Sequence, residues 1–386
     1  MNISRSLPSG LIAAVLFAGA ASAAAAPQTP DDATVYATGM QGPRGLRFGP
    51  DGSLYVAEAG PADSVRTSTA TVCPLEQVIA PVGPYRGAKT ARISKISGNG
   101  TRTTVASGFP STQDAMGDVI GVADIVFLDG TLYALLGGGG CSHGFTDSPS
   151  GIARVDRSTG HWTLIADIGA FLKAHPAKYE SSDDFEPDGS LYSLLAVDDV
   201  LYTVEPNHGQ VLSVTKGGNI KQVIDISASE GHIVPTSIAH RHGAFYVGNL
   251  NLFPINPQWA RILTVAKDGY DDDVAPAFDT GRRGYHIVNS KAGFTTVVAV
   301  DFGPDELLYA LELSTAHGNP TPGTGKVVRV KHSGEIEDVV TGLMFPTGMT
   351  FGPDGRLYVS NSGFPQLPVP PFPPGQILRF DVAPGW

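Results

Sequence analysis

The sequence predicts an all-β protein, a six-bladed β-propeller whose N-terminal strand closes the last blade, and two observations carry that prediction. A short phrase recurs along the chain: an apolar stretch, a turn (Gly-Pro-Asp-Gly in two copies), then Leu-Tyr or Phe-Tyr at the start of a short strand. Its copies centre on Leu54-Tyr55, Leu132-Tyr133, Leu201-Tyr202, Phe245-Tyr246, Leu308-Tyr309 and Leu357-Tyr358. Repeated short strands of this size mark a propeller or another repeat array. The second observation is a displaced strand. The sixth unit ends after its third strand, and a matching fourth strand stands at the other end of the chain. Thr34–Gly39 resembles Glu337–Gly342, and both lead into a Pro-x-Gly, Pro43-Arg44-Gly45 and Pro346-Thr347-Gly348. An N-terminal strand that completes the last blade removes the open edge of a ring.

Residues 1–26 read as an export signal: Arg5 is the positive start, Leu11–Ala20 the apolar core, and Ala21-Ser22-Ala23 or Ala24-Ala25-Ala26 the small-residue cleavage site. That core is too short to span a bilayer. The expected mature chain, 27–386, is one propeller domain, secreted or periplasmic and monomeric. Gly 47, Pro 30 and 16% charged residues describe a turn-rich protein, and 42% hydrophobic content suits a large core. Loss of Arg5 takes the formal charge from −11 to −12. That balance, without a basic stripe, argues against nucleic acid and anionic membranes as partners.

Each unit divides into four short strands. In the first these are Gly45–Phe48, Leu54–Glu58, Ala91–Ile96 and Thr101–Ala106; the third recurs in alternating or fully apolar runs, as at Gly151–Val155 and Lys326–Val330. Strand direction places turns such as Pro353-Asp354-Gly355 and Lys267-Asp268-Gly269 on one face, the bottom. The long connections fall on the top face: 61–90, 137–150, 171–189, 250–260 and 364–375. Long loops on one end of a rigid ring carry function. Ile168–His175 is the one expected helix, and the Pro-rich run 365–374 a stiff extended cap. Cys73 and Cys141 lie on neighbouring units, and a Cys73–Cys141 disulfide is expected in an oxidising compartment.

The copies at 43–56 and 346–359 resemble the exported propellers of the ScyD/ScyE family. The export signal, the acidic loop before Tyr192–Ala196 and the run Glu205–Leu212 are similar to that family as well. The motifs are shared with NHL-repeat proteins and gluconolactonase-like lactonases. The resemblance implies a six-bladed propeller outside the cytoplasm, with founding members linked to cyanobacterial pigment biosynthesis. It carries over no catalytic residues.

Three residues after each repeat Tyr stand Glu58, Leu136, Glu205, Asn249, Glu312 and Asn361. Oxygen-bearing side chains at these strand ends could hold calcium, magnesium or a polyhydroxy ligand, or bond backbone N–H groups of the top loops. Asp184, Glu186 and Asp188 sit at alternate positions before Gly189, like the first half of a calcium loop; Leu195 stands where an EF-hand needs Glu. The readings are a Ca2+ site completed by other loops and a solvated acidic turn. His143, His208, His232, His286 and His317 are assigned to the top face, without metal-binding spacing. Arg44, at the mouth of the channel, either binds a ligand carboxylate or pairs with Asp124.

Two functions follow. One is an accessory or binding protein that holds a small molecule or an exported protein on its top face. The alternative is a divalent-metal-dependent lactonase or hydrolase of the gluconolactonase type. Where gluconolactonase-like enzymes carry a metal-binding Glu before Gly-Pro, this chain has Gln41-Gly42-Pro43, and a neutral amide weakens a metal site. A quinone-cofactor sugar dehydrogenase shares the fold but finds no confirming motif.

Overall fold

Short antiparallel strands can bury both sheet faces only by stacking sheet on sheet, and a closed ring does this without leaving an outer sheet exposed. The computed structural model describes residues 26–61, 67–68, 78, 80, 82–115, 117–182, 184–267, 284–364, 374–383 and 385. It is a six-bladed β-propeller. From the axis outward, blade one has strands Pro43–Phe48, Leu54–Glu58, Arg86–Ile96 and Arg102–Gln113. Blade two has Val122–Leu128, Thr131–Leu136, Gly151–Val155 and Trp162–Asp167. Blade three has Ser193–Val197, Val200–Glu205, Gln210–Thr215 and Ile220–Asp225. Blade four has Pro235–Arg241, Ala244–Asn249, Ala260–Lys267 and Tyr285–Phe294. Blade five has Val297–Phe302, Leu308–Glu312, Gly325–Val330 and Ile336–Leu343. Blade six has Gly348–Phe351, Leu357–Asn361 and Gly375–Phe380, completed by Thr34–Met40.

That last pairing bears out the displaced strand. Val35 lies opposite Leu378, Ala37 opposite Ile377 and Met40 opposite Gly375. The clasp reaches further than the sequence indicated: the Gln28 N–H donates to the Val339 carbonyl at 2.9 Å, and the Thr341 N–H to Gln28 at 2.8 Å, joining the same segment to blade five.

Six apolar clusters form the core, one in each gap between neighbouring blades. The seam between blades six and one is made by Ala37, Met40, Tyr358 and Ile377 against Leu46, Val56 and Ile96. Two residues of that seam therefore come from the N-terminal strand.

The recurring phrase acts at the bottom face. In three blades the turn Asp accepts a hydrogen bond from the repeat Tyr: Asp51 from Tyr55 at 3.0 Å, Asp305 from Tyr309 at 2.8 Å and Asp354 from Tyr358 at 3.0 Å. The Tyr ring lies against the glycine that opens the turn; a Cβ at Gly49 or Gly352 would come within 2.6 or 2.7 Å of it. The other three blades use two-residue hairpins, Asp129-Gly130, Asp198-Asp199 and His242-Gly243, with the first residue at positive φ, as the strand twist favours.

Three expectations are corrected. The third and fourth strands of blade one continue well past Ala91 and Ala106, because Arg86–Ala88 and Ser111–Gln113 keep pairing above the top face and add the strand Val119–Ile120. The helix at Ile168–Ala174 is present, its first turn capped by Asp167 accepting from the Ala170 N–H at 2.8 Å, and a second short helix, Ser227–Glu230, joins it. His286 lies at the bottom, since it pairs with Ala266 near the end where the third strand of blade four finishes. Residues 1–25 of the export signal, Asp268-Gly269 of the expected turn and the Pro-rich run 365–373 fall outside the described residues. Among the described residues no helix is long and apolar enough to cross a membrane.

Met40 is buried in the closing seam, whereas Val35, on the same strand, is half exposed. Met40→Ala should destabilise the protein by about 2–4 kcal/mol and Val35→Ala by less than about 0.5 kcal/mol in urea unfolding. Equal effects would show that the strand contributes no seam.

Candidate functional site

The five oxygen-bearing residues at the second-strand ends share one local task. Each strand finishes where the chain enters its blade, so its last side chain meets the backbone of the entry loop. Glu58 accepts from the Gln41 N–H at 2.7 Å, Glu205 from Ser190 at 2.9 Å, Glu312 from Thr295, and Asn361 from Met344 at 2.8 Å. Asn249 donates to the Ile233 carbonyl at 2.9 Å and accepts from the Arg261 N–H at 2.8 Å. All five are fully buried. The carboxylates are neutralised from within. Glu58 binds Arg92 at 3.1 and 3.2 Å and Arg102 at 2.7 and 2.8 Å, and Glu312 lies 3.4 Å from Lys326. Of the two readings left open, the bonds formed are those to backbone.

Glu205 also holds His208, which reaches its carboxylate through the backbone N–H and, at 3.0 Å, through Nδ1. Burial works to raise the Glu205 pKa, but the His208 charge and the converging N–H groups outweigh it and hold it below the usual range. Burial works against the His208 cation, and Glu205 more than reverses this, so the imidazole pKa is raised.

The acidic turn diverges rather than converging on a cation. Asp184 meets His232 at 2.9 Å, and Glu186 meets the Tyr85 hydroxyl at 2.9 Å and His143 at 3.1 Å. Asp188 accepts from the Ser142 N–H and hydroxyl at 2.8 and 2.7 Å and from Lys173 at 2.9 Å. Among the described residues no group of three or more His, Cys, Asp or Glu side chains is placed to hold a metal. The donor set does not fit a calcium ion, which needs six to eight oxygens turned to one point. Cys141 opens a 3-10 turn, Cys141–His143, beside this network, while Cys73 lies outside the described residues.

Arg44 is buried at the start of the blade-one inner strand. Its Nη2 donates to Asp118 at 2.7 Å and to the Val119 carbonyl at 2.6 Å. The expected partner Asp124 instead accepts from the Leu194 N–H at 2.8 Å and lies 3.7 Å from Arg47. The reason is the extended top of blade one, which carries Asp118 over the channel mouth. Burial opposes the Arg44 charge, but Asp118 and the Tyr192 hydroxyl hold its pKa up; burial raises Asp118 despite Arg44 and pushes the Tyr192 phenol to about 12.

Above this pair, on the axis of the top face, lies a cavity of about 160 Å³. All six blades or their top loops reach it: Arg44 and Tyr85, Asp118 and Ala123, Glu186 and Tyr192, Val234 and Leu250, Val298 and Leu313, and Phe364. Of the candidates read from the sequence only Arg44 and Glu186 line it. Tyr85, Asp118, Tyr192, Leu250 and Phe364 were not singled out as site residues, because nothing in their local pattern marks them. The one available clue was that each falls in a top-face connection or at its border.

No protein-family model matches the chain, and no curated protein matches it in sequence. Solved structures do resemble it. The calcium-binding protein regucalcin from Agrobacterium tumefaciens is 14% identical, with a TM-score of 0.53 over 93% of this chain and 96% of that one. A putative oxidoreductase (glucose dehydrogenase) from Thermus thermophilus is 14% identical, with a TM-score of 0.51 over 90% and 98%. A gluconolactonase from Xanthomonas campestris is 11% identical, with a TM-score of 0.49 over 90% and 88%. At these identities the likeness is one of fold.

Glu58→Ala leaves Arg92 and Arg102 facing an empty site and should cost about 3 kcal/mol in urea unfolding. The stabilisation from a raised His208 is complete below the ordinary imidazole pKa of about 6.5 and fades as pH rises through the native value. That from a lowered Glu205 is complete above about 4.5 and fades as pH falls. The Tm gap between wild type and His208→Gln should therefore be widest between about pH 4.5 and 6.5 and narrow by about pH 9. A gap independent of pH would dissociate the pair.

Proposed function

We propose that this chain is an exported, monomeric β-propeller of the ScyD/ScyE kind that binds a small molecule in the cavity on its loop-rich face. The observation that carries the reading is the cavity itself. It is concave and axial, mostly lined by apolar side chains, and furnished with a few polar groups, the usual make-up of a ligand site. Its volume is comparable with engineered cavities that take up benzene. Export rests on residues 1–26, and a Cys73–Cys141 disulfide belongs to the same proposal. The family assignment rests on the motifs at 43–56, 205–212 and 346–359.

The second reading, a divalent-metal-dependent lactonase, has the fold in its favour. Two features of this chain weigh against it. Gln41 replaces the expected acidic ligand, and the partners of Asp184, Glu186 and Asp188 are protein groups. A calcium ion, if bound, would have to displace them.

Two measurements test the proposal. Titration of the mature protein with 2-phenylethanol, followed by ligand-observed NMR, should saturate at one site and be abolished by the cavity-filling variants Ala123→Phe and Leu250→Trp. Binding that survives both would move the ligand away from the axis. Metal analysis after purification should find well under one divalent ion per chain, and a Tm unchanged by chelator. One tightly held ion per chain would favour the hydrolase.

A further inference from the structure

Within that binding reading, on which this step rests, the cavity has a sign. Three of its hydroxyls turn their hydrogens into the protein. The Tyr85 hydroxyl donates to Glu186 at 2.9 Å, the Tyr192 hydroxyl to the Thr347 carbonyl at 3.3 Å, and the Thr236 hydroxyl to the Val297 carbonyl. The Nη2 of Arg44 is shared between Asp118 and the Val119 carbonyl. Arg44, also hydrogen-bonded to the Tyr192 hydroxyl, is the donor of this set; what the others can still offer a ligand is oxygen lone pairs: the Tyr85 phenol oxygen and the carboxylates of Asp118 and Glu186.

Charge points the same way. Among the described residues the charged lining is Asp114, Asp118, Glu186 and Arg44. His143 lies behind Glu186. Its Nδ1 faces the Gly139 carbonyl at 2.5 Å and its Nε2 the Glu186 carboxylate at 3.1 Å, so both nitrogens face acceptors, which favours the protonated ring. Even with His143 counted as a cation, three carboxylates stand against two cations among the described residues, a negative charge in excess. All of these groups come from the first three blades and the loops between them. Blades four to six and their top loops supply Val234, Leu250, Phe253, Val298, Leu313 and Phe364, with Phe253 partly exposed.

We propose that the cavity selects an aryl-alkyl amine: a ligand with one aromatic or similarly apolar body against blades four to six, and a protonated amine against Asp118, Glu186 and the Tyr85 oxygen. A carboxylate or phosphate head would find acceptors where it needs donors, and would be refused although Arg44 lines the wall. The Arg44 guanidinium is a fixed part of the Asp118 site rather than an anion receptor. The aromatic rings of Tyr85 and Tyr192 add a face that favours a cation.

The test uses three probes with one body and different heads on the mature protein: 2-phenylethylamine, 2-phenylethanol and phenylacetate. The amine should bind at least tenfold more tightly than phenylacetate at pH 7, with the alcohol between them. Asp118→Asn removes one carboxylate and frees Arg44, so it should shrink that ratio at least tenfold. Glu186→Gln, which keeps an acceptor for Tyr85, should shrink it as well, and serves if the first variant fails to fold. Equal or tighter binding of phenylacetate by the wild type would overturn the inference while leaving a small-molecule site in place. Binding of none of the three would overturn the site itself.

Discussion

Six twisted sheets can each bury two faces only if the last packs on the first, and the pairing of Thr34–Met40 with Gly375–Phe380 is what allows this. Without it the third strand of blade six would present an unpaired edge, and the seam toward blade one would lose Ala37 and Met40. The same segment bonds Val339 and Thr341 on blade five. One strand thus ties together the final two blades and the first, and the alignment of the inner strands around the axis depends on it. The cavity at the mouth of those strands exists because the ring is closed.

A closed ring leaves six entry loops that must be held where the chain passes from blade to blade. The buried Glu and Asn residues at the ends of the second strands do this by bonding loop backbone; arginines and a lysine on the outer strands pair with Glu58 and Glu312, and His208 with Glu205. Such groups look like ligands in a sequence because the chemistry is shared: an oxygen that can hold a cation can equally accept an N–H. Here the outer polar layer consists of internal bonds, and the ligand-facing surface moves inward to the axis. Blade two is the exception that shows the rule, with Leu136 in place of an oxygen and the glycine-rich connection 137–140 packed tightly beside it.

The top of blade one is where the architecture departs from its repeats. Its outer strands overrun the sheet and bring Tyr85 and Asp118 over the channel. There they meet Glu186 from blade three and Arg44 from their own inner strand. Partners separated by 74 and 101 residues in the chain form one buried polar wall. Each member is satisfied by another, which makes the wall rigid and leaves its acceptors oriented in advance of any ligand.

The blade count, the strand boundaries near each repeat Tyr and the N-terminal closure could all be read from the residues, since each rests on local periodicity or on a repeat compared with itself. The Gly-Pro-Asp turn and its Tyr were legible for the same reason: a glycine, an acid and a ring within seven residues make one latch. The partner of Arg44, the fate of the Asp184–Asp188 carboxylates and the bottom position of His286 were not. Each depends on where a distant segment arrives, and a residue such as Asp118 carries no local mark of the wall it joins. Local pattern determined the ring, and only its closure in space decided which side chains would share the axis, because hydrogen-bond partners are chosen by position and not by neighbours in the chain.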